Sequence, residues 1–318
     1  MITQKLGNSD LEITPLGFGA WAIGGSGWEF GWGVQDDKES IKAIHKALEH
    51  NINWIDTAAV YGMGHSEEIV SKALESWAGE NPYIFTKCGL KWESNGKVFR
   101  NLRAESIQQE CEDSLHRLKV NVIDLYQIHW PPDTNDSEID EAWDMMLTLQ
   151  QQEKVRWIGV SNFNVKQMNQ IKKIAPTASL QPPYSLINRH VEKEIFPYCL
   201  EENIGVIVYS PMASGLLTGK MTRERIAHLP DDDWRKKSSD FNEPKLSKNL
   251  LLVEKLKEIA DRYGRTAGEV AIAWTLQNPA VTGAIVGARS AAQVDEVFRA
   301  NSLKLTDAEF KEIESLKV

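Results

Sequence analysis

Short apolar runs rich in β-branched residues alternate along the chain with longer stretches of helical periodicity. This alternation predicts strand–helix units in series. The predicted strands are residues 16–23, 53–58, 83–88, 122–130, 156–161, 179–184, 205–210 and 283–288. The predicted helices begin near Asp36, Ser66, Ala104, Glu138, Asn164, Glu192, Leu246 and Ser290, with further helical stretches at 266–277 and 306–316.

Eight such units predict an α/β fold in which a parallel sheet closes into a (β/α)8 TIM barrel, with extra helices. An open, doubly wound sheet is the alternative. Residues 1–14, which turn at Asn8-Ser9, predict an N-terminal β-hairpin that covers the bottom of the barrel. Because no linker, charge block or low-complexity tract divides the chain, we expect residues 1–318 to form a single domain.

Two predicted connections are unusually long, at residues 24–35 and 213–245. Both leave the C-terminal ends of predicted strands, where the active sites of barrel enzymes lie. Long connections of this kind are usually functional or disordered. We therefore expect both loops to border a site.

Composition narrows the classes of partner. The net charge of −9 argues against nucleic acid, because phosphate backbones need a basic surface. The three cysteines have no paired spacing, and no apolar run is long enough to cross a bilayer, so we expect a cytoplasmic protein without a membrane partner. The seven histidines lack the spacing of metal ligands, so no metal is expected.

Four polar residues stand at the ends of successive predicted strands. Asp56 closes the second strand, Tyr61 follows five residues later, Lys87 closes the third strand and His129 closes the fourth. Each has an ordinary structural interpretation by itself, such as a cap or a core residue. Because neighbouring barrel strands end at one pole, the four side chains are expected to meet there, which favours proton chemistry.

Each member of this catalytic set has a physical role. A lysine ammonium lowers the pKa of a nearby phenol, and an aspartate keeps that ammonium charged and oriented. Tyr61 is then expected to donate a proton to a carbonyl oxygen. A neutral His129 is expected to hydrogen-bond the same oxygen and orient the substrate.

The segment DTAAVYG at 56–62 resembles the signature of the aldo-keto reductase family. Lys87 and His129 lie where that family has its catalytic lysine and histidine, and the resemblance extends to GVSNF at 159–163, YSP at 209–211 and GAR at 287–289. It implies reduction of a small-molecule carbonyl without a metal. The implied cofactor is a nicotinamide dinucleotide, NADPH/NADP+, with NADH as a possibility.

The resemblance also implies a cofactor site. Ser161, Asn162 and Gln181 would hold the nicotinamide carboxamide, Tyr209 would stack on the ring, residues 210–220 would wrap the pyrophosphate, and Arg289 would meet the adenosine phosphate. Gln293 and Val297 depart from the commonest family pattern of arginine and asparagine. The full implied set is Gly19, Ala20, Trp21, Asp56, Ser161, Asn162, Gln181, Tyr209, Ser210, Pro211, Gly215, Leu216, Gly219, Lys220, Gly287, Arg289, Gln293 and Glu296.

Aromatic residues in and near the predicted loops favour an apolar substrate pocket, lined by Trp21, Trp28, Phe30, Trp32, Trp92 and Trp130. The segment at 17–22 fits a dinucleotide-binding glycine fingerprint, but no helical period follows it, so Gly17 and Gly19 are interpreted as points of close backbone approach. A monomer and a homo-oligomer both remain open. Two alternatives to a reductase remain: a cofactor-binding regulatory subunit of the potassium-channel β type, and a barrel enzyme of phosphorylated sugars.

Overall fold

The computed structural model describes residues 2–133, 137–230 and 233–316. Its strands are β1 (Gln4–Lys5), β2 (Glu12–Ile13), β3 (Leu16–Gly19), β4 (Trp54–Asp56), β5 (Tyr83–Cys88), β6 (Leu90–Trp92), β7 (Val98–Arg100), β8 (Ile123–Ile128), β9 (Val155–Ser161), β10 (Ser179–Gln181), β11 (Gly205–Val208) and β12 (Gly283–Gly287). Its α-helices are α1 (Asp37–Glu49), α2 (His65–Glu75), α3 (Ala104–Leu118), α4 (Glu138–Gln151), α5 (Val165–Ile171), α6 (Ile195–Glu201), α7 (Arg223–Ala227), α8 (Lys245–Asp261), α9 (Ala267–Leu276), α10 (Ala291–Val297) and α11 (Asp307–Ser315).

Eight parallel strands form a closed barrel. β3, β4, β5, β8, β9, β10, β11 and β12 pair in that order, and β12 pairs back onto β3 through Ala284 opposite Leu16. The TIM-barrel prediction is confirmed, and the open doubly wound sheet is excluded. All eight predicted strands exist, so the C-terminal strand ends meet at one pole as expected.

Several strands are shorter than the sequence predicts, because the chain leaves the ladder early at the functional pole. β3 ends at Gly19 and a 3-10 turn takes over at Trp21–Gly24. β10 ends before Pro182, which has no N–H to donate to a ladder. The helix predicted near Glu192 consists of a 3-10 turn, His190–Glu192, followed by α6.

The N-terminal hairpin is confirmed: β1 pairs with β2 in antiparallel register, Gln4 opposite Ile13. Its apolar residues Leu6, Leu11 and Ile13 pack against Trp54 and other interior side chains of the barrel. The hairpin turn lies so close to the start of β11 that a Cβ on Gly7 would stand 2.3 Å from the Gly205 nitrogen. The hairpin therefore covers the N-terminal end of the barrel.

A second hairpin, β6–β7, follows β5 and was not predicted. Its turn contains Asn95-Gly96, with Gly96 at φ +82°. Asn-Gly between short alternating segments is a strong hairpin signal, so the sequence contained the information needed to find it.

The long connection at 213–245 contains short helical segments. These are 3-10 turns at Ala213–Thr218, Trp234–Lys237 and Ser239–Phe241 as well as helix α7. No helix within the described ranges is both long and apolar enough to cross a membrane.

Candidate active site

Lys87 links two of the other strand-end residues, Asp56 and Tyr61. Its ammonium donates to Asp56 Oδ1 at 2.6 Å, to the Thr57 carbonyl at 2.9 Å and to the Tyr61 hydroxyl oxygen at 3.3 Å. An ammonium has three N–H donors, so all three are used. The Tyr61 hydroxyl accepts this bond and keeps its own proton available for a further acceptor.

Burial dominates the electrostatics of the cluster. Burial raises the pKa of Tyr61 well above its ordinary value, and the charge of Asp56 raises it further. The net shift is therefore upward, because burial and the Asp56 charge outweigh the effect expected of the Lys87 ammonium. Burial also lowers the pKa of Lys87, while Asp56 opposes that shift. Tyr61 is accordingly a neutral phenol that retains a proton to donate.

His129 stands beside Tyr61, with 5.6 Å between ring centroids in an edge-to-face arrangement. Burial lowers its pKa well below the ordinary value, and the nearby Lys87 charge lowers it further. The imidazole is therefore neutral at physiological pH. It can hydrogen-bond a carbonyl oxygen without adding a second positive charge to the site.

The cluster opens into a cavity of about 730 Å³ at the C-terminal pole of the barrel. This volume is in the range of small-molecule and cofactor sites. The cavity extends from Tyr61 and His129 to the start of α10. Predicted residues that line it are Gly19, Trp21, Trp28, Phe30, Trp32, Asp56, Tyr61, His129, Trp130, Ser161, Asn162, Gln181, Tyr209, Ser210, Pro211, Gly215, Lys220, Gly287, Arg289, Gln293 and Glu296.

Five predicted residues do not line the cavity. Lys87 lies behind the wall, where it contacts Asp56 and Tyr61. Ala20 is buried in the main core, and Leu216 packs with the apolar side chains of the 213–246 segment. Gly219 ends a 3-10 turn in a left-handed conformation. Trp92 packs in the apolar cluster of Trp28 and Val60, and other residues of the β6–β7 hairpin line the cavity.

Ser161, Asn162 and Gln181 form a connected polar group. The Ser161 hydroxyl donates to the Gln181 carbonyl at 2.8 Å and accepts from the Asn162 side chain at 3.0 Å. Asn162 has φ +63°, and its side-chain oxygen accepts the Tyr209 hydroxyl at 2.9 Å. Asparagine tolerates this left-handed conformation better than most residues. Ser161 thus supports its two neighbours.

Backbone strain is concentrated where the chain leaves β11. Ser210, Ala213 and Ser214 all have positive φ, and Gly215 follows at φ +91°. Strain of this kind is found at binding loops, held in place by the surrounding structure. Lys220, at the end of this segment, forms an ion pair with Glu296 of α10, which closes the cavity from one side.

Arg289 is bound to the 24–35 loop. Its guanidinium donates to Gln35 Oε1 at 2.7 Å and to the carbonyls of Trp32 and Val34. Gln35 returns a hydrogen bond to the Arg289 carbonyl at 2.9 Å. Among the described residues, these bonds use three of the five guanidinium N–H groups, which leaves two for a ligand.

The two long loops meet above the cavity. Trp234 stacks on Trp21 with centroids 6.2 Å apart, and the Arg235 guanidinium lies 4.7 Å from the Trp32 ring centroid. Cavity residues that the sequence analysis missed include Leu90, Phe99, Arg100, Arg225 and Arg235. All five belong to the unpredicted β6–β7 hairpin or to the helical segments of the 213–245 connection.

The donor set fits a nicotinamide dinucleotide. Amide groups of Asn162 and Gln181 stand at the end of the cavity near Tyr61, with the half-buried Tyr209 ring beside them. Arg289 and Lys220 supply positive charge at the far end. In the part of the chain that the structure describes, no three histidine, cysteine or acidic side chains lie together in a way that could hold a metal ion.

The chain belongs to the Aldo/keto reductase family, whose family model matches residues 15–318. Membership in this family makes it an oxidoreductase dependent on NAD(P)H.

Similar proteins cover nearly the whole chain. It is 37% identical over 314 residues to "Aldo-keto reductase YhdN" of Bacillus subtilis, covering 98% of this chain and 92% of that protein. It is 33% identical over 317 residues to an "NADH-specific methylglyoxal reductase" of Escherichia coli, covering 96% and 94%. The solved structure of the glycerol dehydrogenase AKR11B4 from Gluconobacter oxydans superposes with a TM-score of 0.89 at 40% identity, covering 99% and 94%.

Proposed function

We propose that this enzyme reversibly reduces aldehydes and ketones to alcohols, with NADPH as the preferred cofactor and Tyr61 as the proton donor. The observation that carries the proposal is the Lys87 ammonium, which holds Asp56 and the Tyr61 hydroxyl together at the cavity floor. When bound, the reduced nicotinamide supplies a hydride to the carbonyl carbon.

Tyr61 completes the reaction by giving its phenolic proton to the carbonyl oxygen, which becomes the alcohol hydroxyl. Lys87 donates a hydrogen bond to the phenolate oxygen that forms and stabilises its charge. His129, neutral because of its lowered pKa, orients the carbonyl oxygen toward Tyr61. The carbonyl thus gains two hydrogens, one on carbon from the hydride and one on oxygen from the Tyr61 proton.

The cofactor-binding roles are assigned residue by residue. Asn162 and Gln181 hold the nicotinamide carboxamide, with Ser161 as their support, and Tyr209 stacks on the ring. The strained segment at 210–215 binds the pyrophosphate through its backbone. The two unused N–H groups of Arg289 bind the 2′-phosphate, which favours NADPH over NADH.

Aromatic side chains at the cavity mouth favour substrates with an apolar part. Trp28 is nearly buried, whereas Phe30 and Trp130 are partly exposed at the rim. The three cysteines are buried free thiols, which supports our proposal of a cytoplasmic location.

The test is a cofactor-oxidation screen. Purified protein is mixed with NADPH or NADH and a panel of aldehydes and ketones, and the absorbance of the reduced nicotinamide is followed. Methylglyoxal belongs in the panel because one relative is named for it, and glycerol belongs in the reverse assay for the same reason. Binding of both cofactors without turnover of any substrate would favour the regulatory-subunit alternative.

A further inference from the structure

A layer of interior residues lies directly beneath the catalytic cluster. Gln127 of β8 pairs laterally with Gly159 of β9, and Gly159 pairs with Ser179 of β10. Gln127 and Ser179 each stand two residues before a residue of the cavity wall, so their side chains point into the barrel, whereas Gly159 between them has no side chain. Gln127 and Ser179 are completely buried, and neither has a role in the reaction described above.

Asp56 determines the orientation of the Gln181 side-chain amide. The carboxylate is paired with Lys87 through Oδ1, so Oδ2 can only accept hydrogen bonds. Gln181 therefore presents its amide nitrogen, which donates to Oδ2 at 2.8 Å. This leaves Gln181 Oε1 as the group available to the cavity that Gln181 lines.

Gln127 fixes the second hydrogen of the same amide. The Gln181 nitrogen lies 3.4 Å from Gln127 Oε1, so its two N–H groups have two acceptors, which together define the plane of the amide. If Gln127 were reversed, its own nitrogen would face the Gln181 nitrogen, and two donors would oppose each other.

The nitrogen of the Gln127 amide supports the conclusion that Asp56 determines the orientation of both amides. Gln127 Nε2 is buried and makes no hydrogen bond within the described residues. A buried donor without a partner costs free energy, so this orientation must be imposed by a stronger interaction. The Asp56 carboxylate imposes it through Gln181.

We propose that Gln127 is a positioning residue, which aims Gln181 Oε1 at the amino group of the nicotinamide carboxamide. The inference rests on the proposed function, in which Gln181 contacts that carboxamide. An acceptor fixed in this place selects a ligand that donates. Nicotinamide carries the required N–H groups, whereas nicotinic acid presents only acceptor oxygens at neutral pH.

The test compares two buried variants of the same layer. Gln127→Met keeps the length of the side chain and removes the acceptor, while Ser179→Ala removes a neighbouring buried hydroxyl that has no partner in the described structure. Dissociation constants are measured for three probes: NADP+, its analogue with nicotinic acid in place of nicotinamide, and 2′,5′-ADP, which represents the adenosine half alone.

For Gln127→Met we expect roughly tenfold weaker binding of NADP+ and a smaller preference for NADP+ over the nicotinic acid analogue. Binding of 2′,5′-ADP should stay unchanged, which also reports that the barrel is folded. Ser179→Ala should match the wild type with all three probes. If Gln127→Met does not bind 2′,5′-ADP, Gln127→Asn, which withdraws the same oxygen, takes its place.

An unchanged preference between NADP+ and its analogue in a variant that still binds 2′,5′-ADP would overturn the inference. Failure of the proposed function would look different, because the wild type itself would then bind NADP+ without turning over any carbonyl. Equal weakening of all three probes would mean that Gln127 serves only the stability of the barrel, which also contradicts the proposal.

Discussion

Asp56 and Lys87 form an ion pair of 2.6 Å whose side chains are 3% and 0% exposed. Removing one partner of a buried ion pair leaves the other charge uncompensated, which is strongly destabilising. The pair sits against the Tyr61 hydroxyl at the bottom of the cavity. Its arrangement is therefore expected to control both the local stability and the chemistry of the site.

Replacing Lys87 by methionine should lower turnover by at least ~100-fold, because the phenolate of Tyr61 loses its hydrogen-bond donor. The wild-type activity should also fall at alkaline pH as Lys87 loses its proton. Because burial lowers the pKa of Lys87, that fall should begin below the ordinary lysine value of 10.5, as a titration coupled to Tyr61. The measurement is the pH dependence of kcat for both proteins.

The exposed Lys42→Met variant on α1 is the control, and its rate and profile should equal those of the wild type. A Lys87→Met enzyme that keeps the wild-type rate and pH profile would remove Lys87 from the mechanism.

Replacing Arg289 by alanine should weaken NADPH binding by about tenfold or more, because each charge-assisted hydrogen bond to a phosphate contributes about 1.5–3 kcal/mol. NADH binding should change little. The measurement is the dissociation constant of each cofactor, by quenching of tryptophan fluorescence.

Gln35→Ala is the matched variant, since it removes one of the three hydrogen bonds from the guanidinium to the loop and keeps the guanidinium itself. It should keep the preference for NADPH. Equal losses for both cofactors in Arg289→Ala would show instead that Arg289 acts by anchoring the loop at Trp32 and Val34.

The titration of the Glu110 carboxyl group should lower the stability of the folded protein as pH rises. Burial raises the pKa of Glu110 to about 7, above the ordinary 4.5, while Gly89 N–H and Ser106 hydrogen-bond its carboxyl group. Between these two values the folded state holds a proton that the unfolded state releases. The resulting stabilisation is complete below the lower value and is lost as pH rises through the higher one.

Glu110→Gln keeps the shape of the side chain and removes this titration. The variant should be more stable than the wild type above pH 7, by at most about 3 kcal/mol, and the gain should vanish toward pH 4.5. Urea unfolding at several pH values measures it, with the exposed Glu105→Gln variant of the same helix as control. A pH-independent difference between Glu110→Gln and the wild type would refute the raised pKa.

The sequence predicted the barrel and the meeting of the strand-end side chains because both depend on local patterns. Strand periodicity located every barrel strand, and polar residues such as Asp56 and Lys87 had to meet because parallel strands end at one pole. Strand ends were less predictable, because they depend on where the chain turns into the site, as at Trp21.

The environment of Arg289 was beyond prediction from local patterns. Its partner Gln35 lies 254 residues away in the chain, and the contact depends on the conformation of a glycine-rich loop. The polarity of the Gln181 amide was equally hidden, since it follows from hydrogen bonds to Asp56 and Gln127 on other strands. The raised pKa of Tyr61 reflects its burial, which local sequence patterns do not reveal.

The central claim is that Tyr61 donates the proton that completes carbonyl reduction. Tyr61→Phe tests it most directly, because the change removes one oxygen and leaves the ring that borders the cavity. We predict that cofactor oxidation with a good aldehyde substrate falls by at least ~100-fold, while the dissociation constant of NADPH stays within about twofold of the wild type. A Tyr61→Phe enzyme that retains most of its turnover would contradict the account.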